Sequence, residues 1–345
     1  MIRQICAFTI AIEILIAGVI AAQPADSVDV SPSQGPLLSG FVDVRGVYSN
    51  GSDNSHRFSV GQAELDLEHM LSNRVGILLC AAYNSDNGAI ELGAAELQLT
   101  LYENDQRYLN NISLVAGQFD VPFGIGSRYY ASTDCETVTS PWFSQSVGNW
   151  SGWNDYGVQV QATSRSANAV LFAVNGYEES AEVVYKVYNW TAGVEEDSIG
   201  VVVTVPEAAF GGRLGINPAG GDIELGISGS VGIDDRGGVG MTLLGSDLSY
   251  DGTLFGCHGE FIYNSLDREG QLQVSRGCYL QAHCHIATWR VISRYAAANK
   301  NAEPWQSQYS AGIALPVAVG TELRCELIRT AERNAVAMVQ IVAGF

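Results

Sequence analysis

Cations are scarce in this chain of 345 residues: Lys and Arg total 18 against 37 Asp and Glu, a formal charge of -19. Nucleic acid is excluded as a partner on that ground, since its recognition needs clustered cations. Proline, at 9, and methionine, at 4, are also few, while Gly reaches 38 and Tyr 15. That balance suits many strands joined by tight turns better than a helical bundle. After residue 22 there is no long apolar run, because Gly, Ser or a charge interrupts every few residues. A spanning helix in the body of the chain is thereby excluded. The motifs G-x-S-x-G and H-E-x-x-H are missing, and Gly229-Ser230 lacks the required frame. An enzyme is not expected; a hydrolase whose Ser, His and carboxylate meet only in space is the alternative. No cofactor is expected.

The first 22 residues hold Arg3, then a run from Ile5 to Val19 that is apolar apart from Thr9 and Glu13, then Ala21 and Ala22. This order predicts a secretory signal peptide over 1–22, a lead-in over 23–36 and the main body over 37–345. A membrane anchor is the alternative, but Glu13 cuts the run short of the ~20 clean residues it needs. No cysteine follows the small residues, so a lipoprotein anchor is not indicated. Cleavage removes one Arg and one Glu and leaves the charge unchanged. It also leaves six cysteines, Cys80, Cys135, Cys257, Cys278, Cys284 and Cys325, in an oxidising compartment where pairing is possible.

Alternation with period two runs through the body. Val42, Val44 and Tyr48 face away from Asp43 and Arg45. Ala63, Leu65, Leu67 and Leu71 alternate with Gln62, Glu64, Asp66 and Glu68, with His69 on the apolar side. Ala95, Leu97, Leu99 and Leu101 alternate with Glu96, Gln98 and Thr100. The rhythm recurs at Tyr156–Thr163 and at Leu323–Leu327. A soluble β-sandwich gives the same alternation, so the connections decide. Tight turns at Ser72–Arg74, Ser164–Ala167, Pro218–Gly221, Tyr250–Gly252 and Pro316–Gly320 take turns with longer links. Those links are Gly51–His56, Ile125–Asn154, Gly176–Ala208, Asn264–Ser275 and Ala297–Gln306. Short turns on one rim and long loops on the other describe a transmembrane antiparallel β-barrel, the one all-β form that satisfies its backbone in lipid. About sixteen strands are predicted, with 14 or 18 as other groupings. The strand-like segment Ile199–Val205 is assigned to an external loop, because counting it in the wall breaks the even parity. Ala335, Ala337, Val339, Ile341, Ala343 and Phe345 alternate to the end of the chain. The terminal Phe345 resembles the signal by which outer-membrane proteins are recognised for barrel assembly; an ordinary last strand is the alternative.

The stretch Leu114–Gly124, LVAGQFDVPFG, resembles the strand and loop entry of the phosphate-selective porin O and P family. Phe172–Gly176, FAVNG, and Gly212–Ser228, GRLGINPAGGDIELGIS, resemble it more weakly. The resemblance implies a sixteen-stranded, trimeric outer-membrane porin through which small hydrophilic solutes or ions diffuse. Outer-membrane lipid and the barrel-assembly machinery are then its partners, and the stretch 125–154 is its constriction loop. That loop carries one cation, Arg128, against Asp134 and Glu136. Phosphate selectivity, which rests on a ladder of cations, is therefore not carried over. An adhesion or structural barrel with a blocked lumen is the alternative reading.

Parity places Glu64, Asp66, Glu68 and Glu96 on the lumen side of early strands. It places Arg290, Arg294 and Arg324 on late ones, with Arg45 on the first. An acidic wall facing a basic one would orient dipolar solutes; the alternative is that neighbouring charges merely pair. His258, His283 and His285, with Glu260, also fall on the lumen side and are weak candidates for zinc or copper. Folding 253–263 onto 276–286 brings Cys257 opposite Cys284 as a candidate disulfide; two reduced thiols are the alternative.

Overall fold

The computed structural model describes residues 35–49, 56–84, 88–104, 108–143, 152–176, 179–189, 194–204, 208–218, 222–233, 239–268, 271–301, 303–330 and 335–345. The signal peptide expected over 1–22 and most of the 23–36 lead-in lie outside the described residues.

Sixteen strands close into one antiparallel barrel. β1 (Leu37–Ser49) pairs with β2 (His56–Met70) on one side and with β18 (Ala335–Gly344) on the other, which closes the ring. From β2 the wall continues through β3 (Val75–Asn84), β4 (Ala89–Glu103), β5 (Leu109–Asp120), β6 (Asn154–Ser164) and β7 (Ala167–Val174). It resumes at β10 (Ala208–Ile216), which pairs directly with β7, then β11 (Ile223–Ile233), β12 (Val239–Asp251) and β13 (Phe255–Arg268). β14 (Gln271–Ile286), β15 (Trp289–Lys300), β16 (Gln306–Ala318) and β17 (Thr321–Thr330) complete it. β8 (Glu179–Asn189) and β9 (Val194–Thr204) form a separate two-stranded sheet.

Each expected segment is a wall strand, and the even parity holds. Ile199–Val205 falls mainly in β9, outside the wall as expected, but its partner β8 lies in what the alternation leaves as a plain link. The other departure is the connection between β13 and β14. The long link expected over Asn264–Ser275 is strand on both sides, so only residues 269 and 270 separate Arg268 from Gln271. Asn264 and Ser275 read as loop residues because they are polar. They pair directly and are buried on the inner face, where polar residues belong. The pairing centres between residues 269 and 270. Cys257 sits opposite Ala282 and Cys284 opposite Phe255, and both thiols are free. A diagonal offset of two residues separates such pairs by roughly 7–8 Å, beyond the reach of an unstrained disulfide. The expected Cys257–Cys284 bond is therefore not made.

The two faces of the wall differ. Along β11, Leu225, Ile227 and Val231 point outward and are 48%, 61% and 41% exposed, while Ser228 and Ser230 point inward and are buried. The outward apolar band continues round the ring in Leu65, Leu97, Val158, Leu171, Leu244 and Leu327, all exposed. Pro316, which has no N–H to give the ladder, sits where the β16–β17 register shifts, as a strand proline does at a bulge. Among the described residues no helix is long and apolar enough to cross a membrane.

Candidate functional site

The chain leaves β5 for the barrel interior. Gly117 (φ +134°) and Gly124 (φ +65°) in LVAGQFDVPFG hold conformations that side chains rarely adopt. A Cβ on Gly124 would also fall 1.6 Å from Glu260 Oε1. That closeness lets the backbone dock: the Gly124 N–H donates to Ser228 Oγ (3.0 Å) and the Ile125 N–H to Glu260 Oε1 (3.1 Å). A short 3-10 turn, Gly126–Tyr129, follows. Its Arg128 donates to Glu224 on β11 (2.9 Å), and the Tyr129 ring stacks on His258, centroids 4.2 Å apart.

The segment then reaches the far wall. Ser132 donates through Oγ to Asp43 on β1 (2.5 Å) and through N–H to Gln62 on β2 (2.8 Å), while Arg324 on β17 donates to its carbonyl (2.5 Å). Glu136 accepts from Gln281 (2.7 Å) and lies 2.6 Å from His283 Nδ1, both on β14. Burial pushes the Cys135 thiol up to about 11, against the opposing pull of Arg324 and Arg294, so it stays protonated and donates to the Tyr129 carbonyl (2.5 Å). Burial likewise pushes the Tyr129 hydroxyl up to about 12. It raises the Asp134 carboxyl above its ordinary value, and Arg324 offsets part of that rise.

Part of this segment packs on the wall. Val121, Phe123, Phe143 and Trp153 pack on Phe119, Phe172, Leu243, Ile262 and Tyr279 from the wall, all 5% exposed or less. The wall residues of this apolar core come from strands between β5 and β15, among polar residues such as Ser228, Asp247 and Gln281. On β2 and β4 the inner face is different: Glu64, Asp66 and Glu96 are half-buried, and Glu68 and Gln98 are exposed.

The inward charges differ in their pairing. Arg294 is 3% exposed; it donates to Thr137 Oγ1 (2.8 Å), to the Thr139 carbonyl (2.7 Å) and to Glu326 (2.9 Å). Arg324, 2% exposed, also binds Glu322 (2.5 Å), which Arg290 shares (2.9 Å). Arg45 lies 3.6 Å from Asp43. The four arginines expected to line a basic wall are thus paired with carboxylates, and Arg294 and Arg324 anchor the inward segment. Nor do the two charge sets face each other squarely. β2 and β17 are three strands apart across the closure and β4 and β15 seven, where eight is opposite. By contrast, none of Glu64, Asp66, Glu68 or Glu96 has a cation within ion-pair distance among the described residues. Asp66, Asp120 and Asp134 add to the negative field at Glu64, and Asp120 adds to that at Glu96.

His258, His283 and His285 do not converge. His258 is held by Tyr129, His283 by Glu136, and His285 meets His283 edge to face at 5.2 Å. Among the described residues, one group brings three metal-ligating atoms together, and it is Glu64, Asp66 and Cys80. Phe345 exchanges backbone hydrogen bonds with Gly40 (3.0 and 3.3 Å) at the closure and is exposed. Several residues that build the interior escape the sequence reading. Arg213 on β10 binds Asp247 (2.6 Å) and Glu224 (2.7 Å), and Asp43, Glu322 and Glu326 serve as counter-charges. Parity alone could flag each as inward, but not its partner.

The closed barrel of sixteen strands is a fold shared with solved outer-membrane porins. An anion-selective porin from Comamonas acidovorans is similar at TM-score 0.64 and 14% identity, over 91% of this chain and 100% of that one. A loop-deletion form of OmpT, an outer-membrane protein of Vibrio cholerae, gives 0.61 and 10% over 91% and 100%. OmpF of Salmonella typhi, in complex with daunomycin, gives 0.60 and 11% over 90% and 97%. At these identities the likeness is one of fold alone, and it does not single out the phosphate-selective porin O and P family. No family model matches the chain, and no curated protein matches it.

Proposed function

We propose that the protein is a bacterial outer-membrane pore for passive diffusion of small hydrophilic solutes, with a preference for cations. The observation that carries this reading is the unequal interior. One arc carries an apolar core, the inward arginines are paired with carboxylates, and among the described residues the carboxylates of β2 and β4 have no cation beside them. The segment within 125–154 acts as the constriction, and Glu64, Asp66, Glu68 and Glu96 line the path beside it. Carboxylates along a narrow path with low-dielectric walls concentrate cations and exclude anions, more so at low salt. The outward apolar band supports a lipid setting, since soluble monomers rarely expose apolar patches of that extent. Aromatic residues flank the band, with Phe255 and Trp289 at the short-turn rim and Tyr48, Phe58 and Tyr309 at the other. Phe345 serves as the assembly signal, and a homotrimer is the expected assembly.

Purified protein in a planar bilayer tests the reading. Stepwise conductance is expected, with a reversal potential in a salt gradient that reports cations as the faster species. Strong anion or phosphate preference refutes the selectivity, and silence refutes the pore. Silence would favour the second reading, a structural or adhesion barrel, for which the apolar core inside the wall is the supporting observation.

The lipid setting is tested separately on the outward face. Ile227→Arg puts a cation midway along β11, and near the bilayer midplane this costs about 2–4 kcal/mol of stability. Urea unfolding in vesicles measures it; an unchanged midpoint refutes the placement of that face in lipid.

A further inference from the structure

We propose that Glu64, Asp66 and Cys80 form a binding site for a thiophilic divalent metal ion, zinc in the cell, in the wall of the pore. Asp66 lies directly opposite Cys80 across the β2–β3 pair, and Glu64 is the next inward residue on β2. The two carboxylate oxygens and the sulfur all lie within 4.8 Å of one another. A zinc ion, with bonds of ~2.3 Å to sulfur and ~2.0–2.2 Å to oxygen, sets its ligand atoms roughly 3.5 Å apart. Closing on the ion therefore needs only a rotamer adjustment of two half-buried side chains.

Two observations set this group apart from an ordinary patch of surface acids. First, the Cys80 side chain is 94% withdrawn from solvent, at 6% exposed, and among the described residues its thiol meets no polar partner besides the two carboxylates. Second, the neighbouring strand is shaped around the sulfur. The β3–β4 register shifts at Cys80, leaving Gly93 as the extra residue, and a Cβ there would fall 2.6 Å from Sγ. Glycine is what leaves room beside the sulfur. The carboxylates have no cation of their own among the described residues, and Asp120 and Asp134 deepen the negative field around Glu64. A divalent ion relieves that repulsion. On binding, the thiol gives its proton to solvent and the sulfur pair bonds to the metal, so uptake of the ion releases protons. A thiolate with two carboxylates selects zinc, cadmium or cobalt over magnesium and calcium, and the lumen supplies water for an open fourth position.

The effect on conduction rests on the pore reading; the binding does not. Titration of detergent-folded protein with Co²⁺ is expected to give a sulfur-to-cobalt charge-transfer absorption that Zn²⁺ displaces and Mg²⁺ does not. Cys80→Ala is expected to lose the band. Glu64→Gln, with the sulfur kept, is expected to weaken Co²⁺ binding by at least the roughly tenfold that losing an outer-sphere partner costs. Gel migration of unheated against boiled samples shows whether each variant folds, and if Cys80→Ala does not, Glu64→Gln decides. No band in the parent protein, a band that persists in folded Cys80→Ala, or unchanged affinity in Glu64→Gln overturns the site. In bilayers, Zn²⁺ is expected to reduce cation preference in the parent protein and not in Cys80→Ala. A protein that gives the band but no conductance keeps the site and loses the pore.

Discussion

Arg294→Ala is expected to destabilise the folded barrel by about 3–5 kcal/mol, because it strands the buried carboxylate of Glu326 without its cation. The loss reaches further than one ion pair. Glu326 also accepts from the Thr139 N–H (2.9 Å) and hydroxyl (3.0 Å), and Arg294 holds Thr137 and the Thr139 carbonyl. Removing the guanidinium therefore leaves the inward segment without its anchor on β15. Noisier current, with excursions to larger conductance, is expected alongside a lower temperature for the gel shift between folded and unfolded forms. Replacing Arg294 and Glu326 together by leucine removes both charges and costs less than Arg294→Ala alone. A single variant as stable as the parent, or a double variant worse than the single, would show that the pair does not anchor the segment.

The second large effect is on selectivity. Glu64→Gln, Asp66→Asn and Glu96→Gln combined remove three carboxylates from the arc of β2 and β4 while keeping their volume. The cation-to-anion permeability ratio at low salt is expected to fall toward one, because three of the four carboxylates lining the path are gone. Neutralising Glu224 and Asp247, which Arg213 holds on the arc of the apolar core, serves as the contrast. If that change moved the reversal potential as much as the triple substitution, selectivity would belong to the whole charge of the barrel and not to the arc.

Strand positions were legible because an outward face that must be apolar writes its period into the sequence. Ile199–Val205 could be set apart by parity, since a closed antiparallel wall with both termini on one rim needs an even count. Legibility failed where the inner face is not simply wet. Asn264 and Ser275 read as loop because they are polar, and they are paired strand. Phe119, Phe172, Leu243 and Ile262 point inward and are apolar, because a segment packs on them. Alternation cannot announce such residues, since both faces of those strands are greasy for different reasons. Inward charges could be read as inward, but not as pairs: Thr139 and Glu326 stand 187 positions apart, and nothing local in either neighbourhood names the other. The disulfide inference failed for a smaller reason: the pairing centres between residues 269 and 270, which sets Cys257 opposite Ala282, two residues short of Cys284.

Ser132 touches three strands at once: β1 through Asp43, β2 through Gln62 and β17 through Arg324. Those strands lie on both sides of the line where β1 meets β18, and Ser132 spans it from within like a clasp. Asp43 and Gln62 come together in the β1–β2 hairpin, but Arg324 joins them only where β1 meets β18. The clasp is therefore complete only when the closing line is. Once fastened, a barrel that begins to part at its own closing line must first undo contacts it never presents to the membrane.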